Sequence, residues 1–99
     1  MTTKERAVLK GLASTADTIL IIGKGGITEN VVDEAKKALA ARELVKGRVL
    51  ETCMLTAKEA LQELAELTGA EPVQAIGSKF VLYKENKELP EEKKINLKR

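Results

Sequence analysis

The stretch that most limits what this chain can fold into is Thr18-Ile19-Leu20-Ile21-Ile22-Gly23-Lys24-Gly25-Gly26-Ile27-Thr28. Its first five residues are an unbroken apolar, largely β-branched run, the signature of a strand buried on both faces. Gly23 closes that run at once. Thr28 is a good N-cap and Glu29 follows it, so a helix is expected to start there. A strand that feeds a helix through glycines leaves unpaired N–H groups and the positive end of a helix dipole at one point, which favours an anion. The glycines allow a phosphate close to the backbone and Lys24 adds a mobile charge.

Two nucleotide-binding patterns fail here. A Walker-type loop needs G-x-x-x-x-G-K-[ST], but this lysine precedes the last glycines and no Lys-Ser/Thr pair opens the helix. The dinucleotide pattern G-x-G-x-x-G needs glycine where Thr28 stands, and 99 residues leave no room for the second half of such a fold. A G-x-x-G loop clamping RNA backbone, as in KH domains, needs no more than is present. For an isolated G-x-x-G, a plain strand-to-helix turn is the commoner use.

The rest of the chain supplies the frame. Val8, Leu9, Leu12 and Ala13 recur at helical spacing, giving a first helix from Thr3 to Ala13. Val31, Val32, Ala35, Ala38 and Leu39 form the stripe of a second, running to about Arg42. From Glu43 to Leu50 a strand turns Val45 and Val49 to one face and Leu44, Lys46 and Arg48 to the other. Thr56-Ala57-Lys58-Glu59 is a capping box, and the helix it opens buries Ala60, Leu61, Leu64 and Ala65 before stopping at Gly69. Val73 to Ile76 and Phe80 to Lys84 are expected to pair through a Gly77-Ser78 turn.

The order is αβαβαββ: an α/β fold of two or three layers with a four-stranded mixed sheet and three helices. The second and third helices fall on the same or opposite faces according to strand order. The first helix is expected to supply some of the cover that the apolar first strand needs. Residues 1–84 make one domain, and Glu85 to Arg99, rich in Lys and Glu, read as a mobile tail that Leu89, Ile95 and Leu97 pin near its end.

With no histidine and one cysteine, the chain can form neither a His/Cys metal cluster nor a Ser-His-Asp triad. Cys53 is expected to be a small buried apolar residue. The carboxylates show no pairing that suits acid–base chemistry, so neither enzyme activity nor a cofactor or metal is expected. The charged amino terminus resembles neither a signal peptide nor a membrane anchor, which points to the cytoplasm. The formal charge is only +2, so any electropositive surface is local. The two aromatic residues, Phe80 and Tyr83, are too few for a platform of stacked rings.

Several separated blocks in order make the chain similar to the YhbY family, the single-domain bacterial form of the CRM module (chloroplast RNA splicing and ribosome maturation). They are Leu9-Lys10-Gly11-Leu12-Ala13, Ile22-Gly23-Lys24-Gly25-Gly26-Ile27-Thr28, Ala38-Leu39, Arg42-Glu43-Leu44-Val45-Lys46, Thr68-Gly69-Ala70, Val73-Gln74-Ala75-Ile76-Gly77 and Val81-Leu82-Tyr83-Lys84. The resemblance implies a fold similar to the carboxy-terminal domain of bacterial initiation factor three, and association with ribosomal RNA or pre-ribosomal particles. Arg42 replaces a common histidine. Gly47 replaces a strand-favouring residue, which suggests a bulge or weak point beside Lys46.

The expected RNA-binding residues are Gly23, Lys24, Gly25 and Gly26 of the loop, Lys46 and Arg48 as a stripe on the second strand, and Lys10 and Lys84 as flanking charges. Arg6 is a further candidate beside Lys10. Lys79 and Lys84 also suit protection of a sheet edge. Lys36 and Lys37, near Asp33 and Glu34, read as an ordinary solvated helix face. A monomer is expected. The competing reading is a protein-interaction module that docks on a ribosomal protein, its glycine loop purely structural.

Overall fold

The computed structural model describes residues 2–88. Its elements are α1 (Thr3–Ala13), β1 (Thr18–Ile22), α2 (Glu29–Arg42), β2 (Leu44–Val49), α3 (Ala57–Thr68), β3 (Glu71–Ile76) and β4 (Lys79–Tyr83). The strands form one mixed sheet in the order β1-β2-β4-β3. β1 lies parallel to β2, and β4 runs antiparallel to both β2 and β3. All three helices and all four strands expected from the sequence are present.

Three layers result. α2 and α3 share one face, where Ala35, Leu39, Ala60, Leu61 and Leu64 pack with Leu20, Ile22, Val45, Phe80 and Leu82. On the other face α1 buries Leu9 and Ala13 against Val73, Val81 and Tyr83. Burial pushes the Tyr83 hydroxyl above its usual range, with the carboxylate of Glu43 adding to the shift. Strand β2 alternates as its sequence predicts, with Val45, Gly47 and Val49 inward and Arg48 exposed.

Four expectations need correction. β1 is not covered on both faces, because it is an edge strand and α1 lies over β2, β3 and β4; Ile21 is consequently 50% exposed. The strand order makes β4 interior, so Lys79 guards no edge. The irregularity beside Lys46 lies in β1, between Thr18 and Leu20, while β2 pairs regularly with β4. Gly47 is instead a seat for the Phe80 ring, its direct cross-strand partner: a Cβ there would come within 2.8 Å of Phe80 Cε2. Finally, Cys53 is only half-buried, its sulfur accepting the Leu55 amide at 3.4 Å.

Glu43, expected to open β2, is the C-cap of α2 at φ 61°, and it is fully buried. Its carbonyl accepts the Lys84 amide at 2.9 Å and its carboxylate the Asn86 amide at 2.7 Å. The Asn86 side chain in turn donates to the Ala40 carbonyl. The first residues of the expected tail are thus held against α2; residues 89–99, with Leu89, Ile95 and Leu97, lie outside the described part. Among the described residues no helix is long and apolar enough to cross a membrane.

Candidate nucleic-acid interface

The strand directions bring three connections to one end of the sheet: the glycine loop after β1, the segment after β2, and the Gly77-Ser78 turn between β3 and β4. The Leu50 amide donates to the Ile22 carbonyl at 2.8 Å and the Val49 amide to the Ser78 carbonyl at 2.7 Å, which ties the three together. The amino ends of α2 and α3 also point to this end, because each helix follows the carboxyl end of a parallel strand.

Within the loop, the Gly26 amide donates to the Gly23 carbonyl at 3.0 Å, closing a turn with Lys24 and Gly25 at its tip. Gly26 takes φ 68°, a conformation that favours glycine, whereas Gly25 does not. A Cβ at Gly25 would make only an ordinary contact with Thr28 Cγ2 at 3.5 Å. The Gly26 N–H is therefore consumed inside the turn and is not available to a ligand. Among the described residues, the amides of Lys24 and Gly25 donate to no protein acceptor.

The helix ends differ in a way that selects one of them. At α1 and α3 a threonine and a glutamate close the amino end reciprocally: Thr2 with Glu5, and Thr56 with Glu59. Those bonds hold the Glu5 and Glu59 carboxyls below their usual range. α2 has Thr28 alone, its hydroxyl accepting the Val31 amide at 3.3 Å, with Val31 where the closing glutamate would stand. The amino end that follows the glycine loop is the one left open.

The basic residues divide into two groups. Lys46 Nζ donates to the Ala13 carbonyl at 3.0 Å, capping the last turn of α1. Lys84 Nζ donates to the Thr68 carbonyl at 2.8 Å and caps α3 at the opposite end of the sheet from the loop. Arg6 donates to the Pro72 and Val73 carbonyls. By contrast, the side chains of Lys24, Arg48 and Lys79 make no hydrogen bond or ion pair among the described residues, and all three are exposed. Arg48 and Lys79 are register partners on β2 and β4 and sit beside the hairpin turn. Lys10 is exposed on α1.

Of the residues expected from the sequence, the structure gathers Gly23, Lys24, Gly25, Gly26 and Arg48 at one end. It engages Lys46 at a helix terminus and puts Lys84 at the other end. Lys79 joins the cluster, and its signal was its position just after the Gly77-Ser78 turn, level with Arg48. The described residues hold no group of three or more Cys, Asp and Glu that could bind a metal.

A family model, the CRS1/YhbY (CRM) domain, matches residues 1–84. The chain belongs to the CRS1/YhbY (CRM) family. It is 36% identical over 88 residues to Probable RNA-binding protein YqeI of Bacillus subtilis (strain 168), covering 89% of this chain and 92% of that one. It is 35% identical over 99 residues to a protein of Haemophilus influenzae named RNA-binding protein, covering 100% and 96%. Among solved structures, the hypothetical protein SAV1595 of Staphylococcus aureus, described as a candidate RNA-binding protein, superposes with a TM-score of 0.77 at 43% identity. The match covers 92% of this chain and 95% of that one. The shared CRM fold accounts for the αβαβαββ order, and the loop end of this CRM domain gathers loop amides and cations that make no bond to a described protein group.

Proposed function

We propose that the chain is a cytoplasmic, monomeric, non-enzymatic RNA-binding protein that contacts ribosomal RNA or pre-ribosomal particles during assembly or maturation, holding phosphate at the Gly23–Gly26 loop. One observation carries this reading: the Lys24 and Gly25 amides, which donate to no described protein acceptor, precede the amino end of α2 at the same end of the sheet as the unbonded cations of Lys24, Arg48 and Lys79. Backbone amides and the positive end of a helix dipole favour an anion, and cations at the same end of the sheet suit the phosphates of a polyanion. The RNA-binding names of the similar proteins support the same partner. Lys10 is a peripheral backbone contact in this reading. Lys46 and Lys84 can join only by giving up helix-capping bonds, so they contribute less.

The test is titration of free ribosomal RNA over a range of salt. Lys24→Ala is expected to lower the magnitude of the log K against log salt slope by roughly 0.7 to 0.9, uniformly across RNA sequences. Gly25→Asp, at a position whose backbone tolerates a side chain, is expected to weaken binding further by charge repulsion while the protein stays folded. Wild-type affinity and slope in both folded variants, with binding to a ribosomal protein instead, would reduce the loop to a turn.

A further inference from the structure

Across the α1 face of the sheet, next to the glycine loop, runs a row that no helix covers. Ile21 of β1 pairs with Arg48 of β2, Arg48 with Lys79 of β4, and Lys79 with Ile76 of β3. The strand alternation puts all four on this face, since Leu20, Ile22, Gly47, Val49, Phe80 and Ala75 point to the other. Ile21 is 50% and Ile76 66% exposed, and the two cations between them have no partner among the described residues. α1 stops short of the row because its last turn ends on Lys46, the preceding residue of β2 on the same face. Three inter-strand steps of about 4.8 Å give the row a length of about 14 Å.

We propose that this row seats unpaired bases of the RNA whose backbone the glycine loop holds, with Arg48 as the stacking residue. The proposal rests on the RNA-binding reading and adds what part of the RNA is recognised. Charge selects the occupant: two free cations with no carboxylate in the row suit a polyanion. Continuity supports it, because Ile21 lies two residues before Gly23, so a strand crossing the loop can continue over the sheet. Both aromatic rings are buried on β4, which leaves the guanidinium plane of Arg48 as the flat group able to stack on a base. Ile21 and Ile76 flank it with apolar surface for base faces. A four-stranded sheet of this width accommodates two or three bases in RNA-binding folds of other topology. A continuous duplex keeps its bases inside and cannot use the row.

The experiment compares a short unpaired RNA oligonucleotide with a hairpin-closed duplex of equal length, titrated against wild type, Arg48→Lys, Ile21→Ala with Ile76→Ala, and Lys24→Ala. Arg48→Lys keeps the charge and removes the plane. It is expected to weaken the unpaired RNA roughly fivefold or more with an unchanged salt slope, and to leave the duplex unaffected. The double isoleucine variant is expected to behave alike, whereas Lys24→Ala weakens both RNAs. If Lys24→Ala loses affinity but Arg48→Lys and the double variant bind unpaired RNA as wild type does, the row is not a base site and the loop reading stands alone. If no variant changes RNA binding, the RNA reading itself falls. Unchanged RNA affinity with loss of ribosomal-protein binding, or of self-association in sedimentation, would assign the row to a protein partner or a second copy.

Discussion

At the end of the sheet away from the glycine loop, charged side chains turn back onto the chain's own backbone. Glu43 accepts the Asn86 amide, Lys84 caps α3, and the Asn86 side chain reaches the Ala40 carbonyl. At the loop end, the side chains of Lys24, Arg48 and Lys79 and the amides of Lys24 and Gly25 bond to no protein group among the described residues. Groups of the same chemistry bond to the chain's own backbone at one end and make no such bond at the other. The difference is one of neighbours. The carboxyl ends of α2 and α3 present spare carbonyls that attract a lysine or an amide, whereas the amino ends present donors, which lysine and arginine cannot satisfy. Lys24, Arg48 and Lys79 make no bond to a described protein group there, although the exposed carboxylates of Glu29 and Glu51 stand at the same end.

The comparison breaks if substitutions at the far end change RNA affinity, or if those at the loop end mainly change stability. The largest effect is expected at Glu43. Glu43→Ala removes the carboxylate that fixes Asn86 but keeps a side chain at positive φ, and should cost about 2 kcal/mol in thermal or urea unfolding. Glu43→Gly should lose about 1 kcal/mol less, since it relieves the backbone strain. RNA affinity of the folded protein should be unchanged in both.

Next come the capping lysines. Lys46→Ala and Lys84→Ala each remove a charge-assisted bond to a helix carbonyl and should each cost about 1 kcal/mol, read by urea unfolding. Arg48→Ala, one pleat from Lys46 on the same face, should stay within about 0.5 kcal/mol of wild type, as expected for an exposed side chain without a partner. Equal losses at Lys46 and Arg48 would erase the distinction between engaged and free cations.

Inside the loop, Gly26→Ala should cost about 1 kcal/mol because of its left-handed backbone, while Gly25→Ala should be close to neutral. Melting curves of the two variants separate the residue that shapes the turn from the one that faces outward.

The smallest effect is in acid. The Glu5 and Glu59 carboxyls are held below their usual range, so the capping boxes contribute fully above the ordinary carboxylate pKa and are lost as pH falls through the depressed folded value. Exchange protection of the Thr2 and Thr56 amides, which the two carboxylates accept, should fall at low pH once the intrinsic exchange rate is divided out, while that of Val31, whose acceptor is a neutral hydroxyl, should show no such step. An equal response at all three would contradict the contrast between closed and open helix ends.

The sequence alone determined the elements and their boundaries to within a few residues, the two faces of β2 and the capping box at Thr56. These are local: a period of two or 3.6, a threonine three residues before a glutamate, or a glycine at a turn fixes them within one segment. It also located the glycine loop, because strand, glycines and N-cap are consecutive. Tertiary structure decided the rest. Periodicity assigns a strand its faces but not its neighbours, so the placement of β4 between β2 and β3, the edge position of β1 and the exposure of Ile21 were not legible. The same holds for Gly47, whose meaning depends on Phe80, 33 residues away in sequence but directly across the sheet. Lys46 and Arg48 look equivalent on β2. A lysine head swings on a flexible four-carbon stem, and only the folded chain determines that one cation bonds to the Ala13 carbonyl while the other bonds to no acceptor among the described residues.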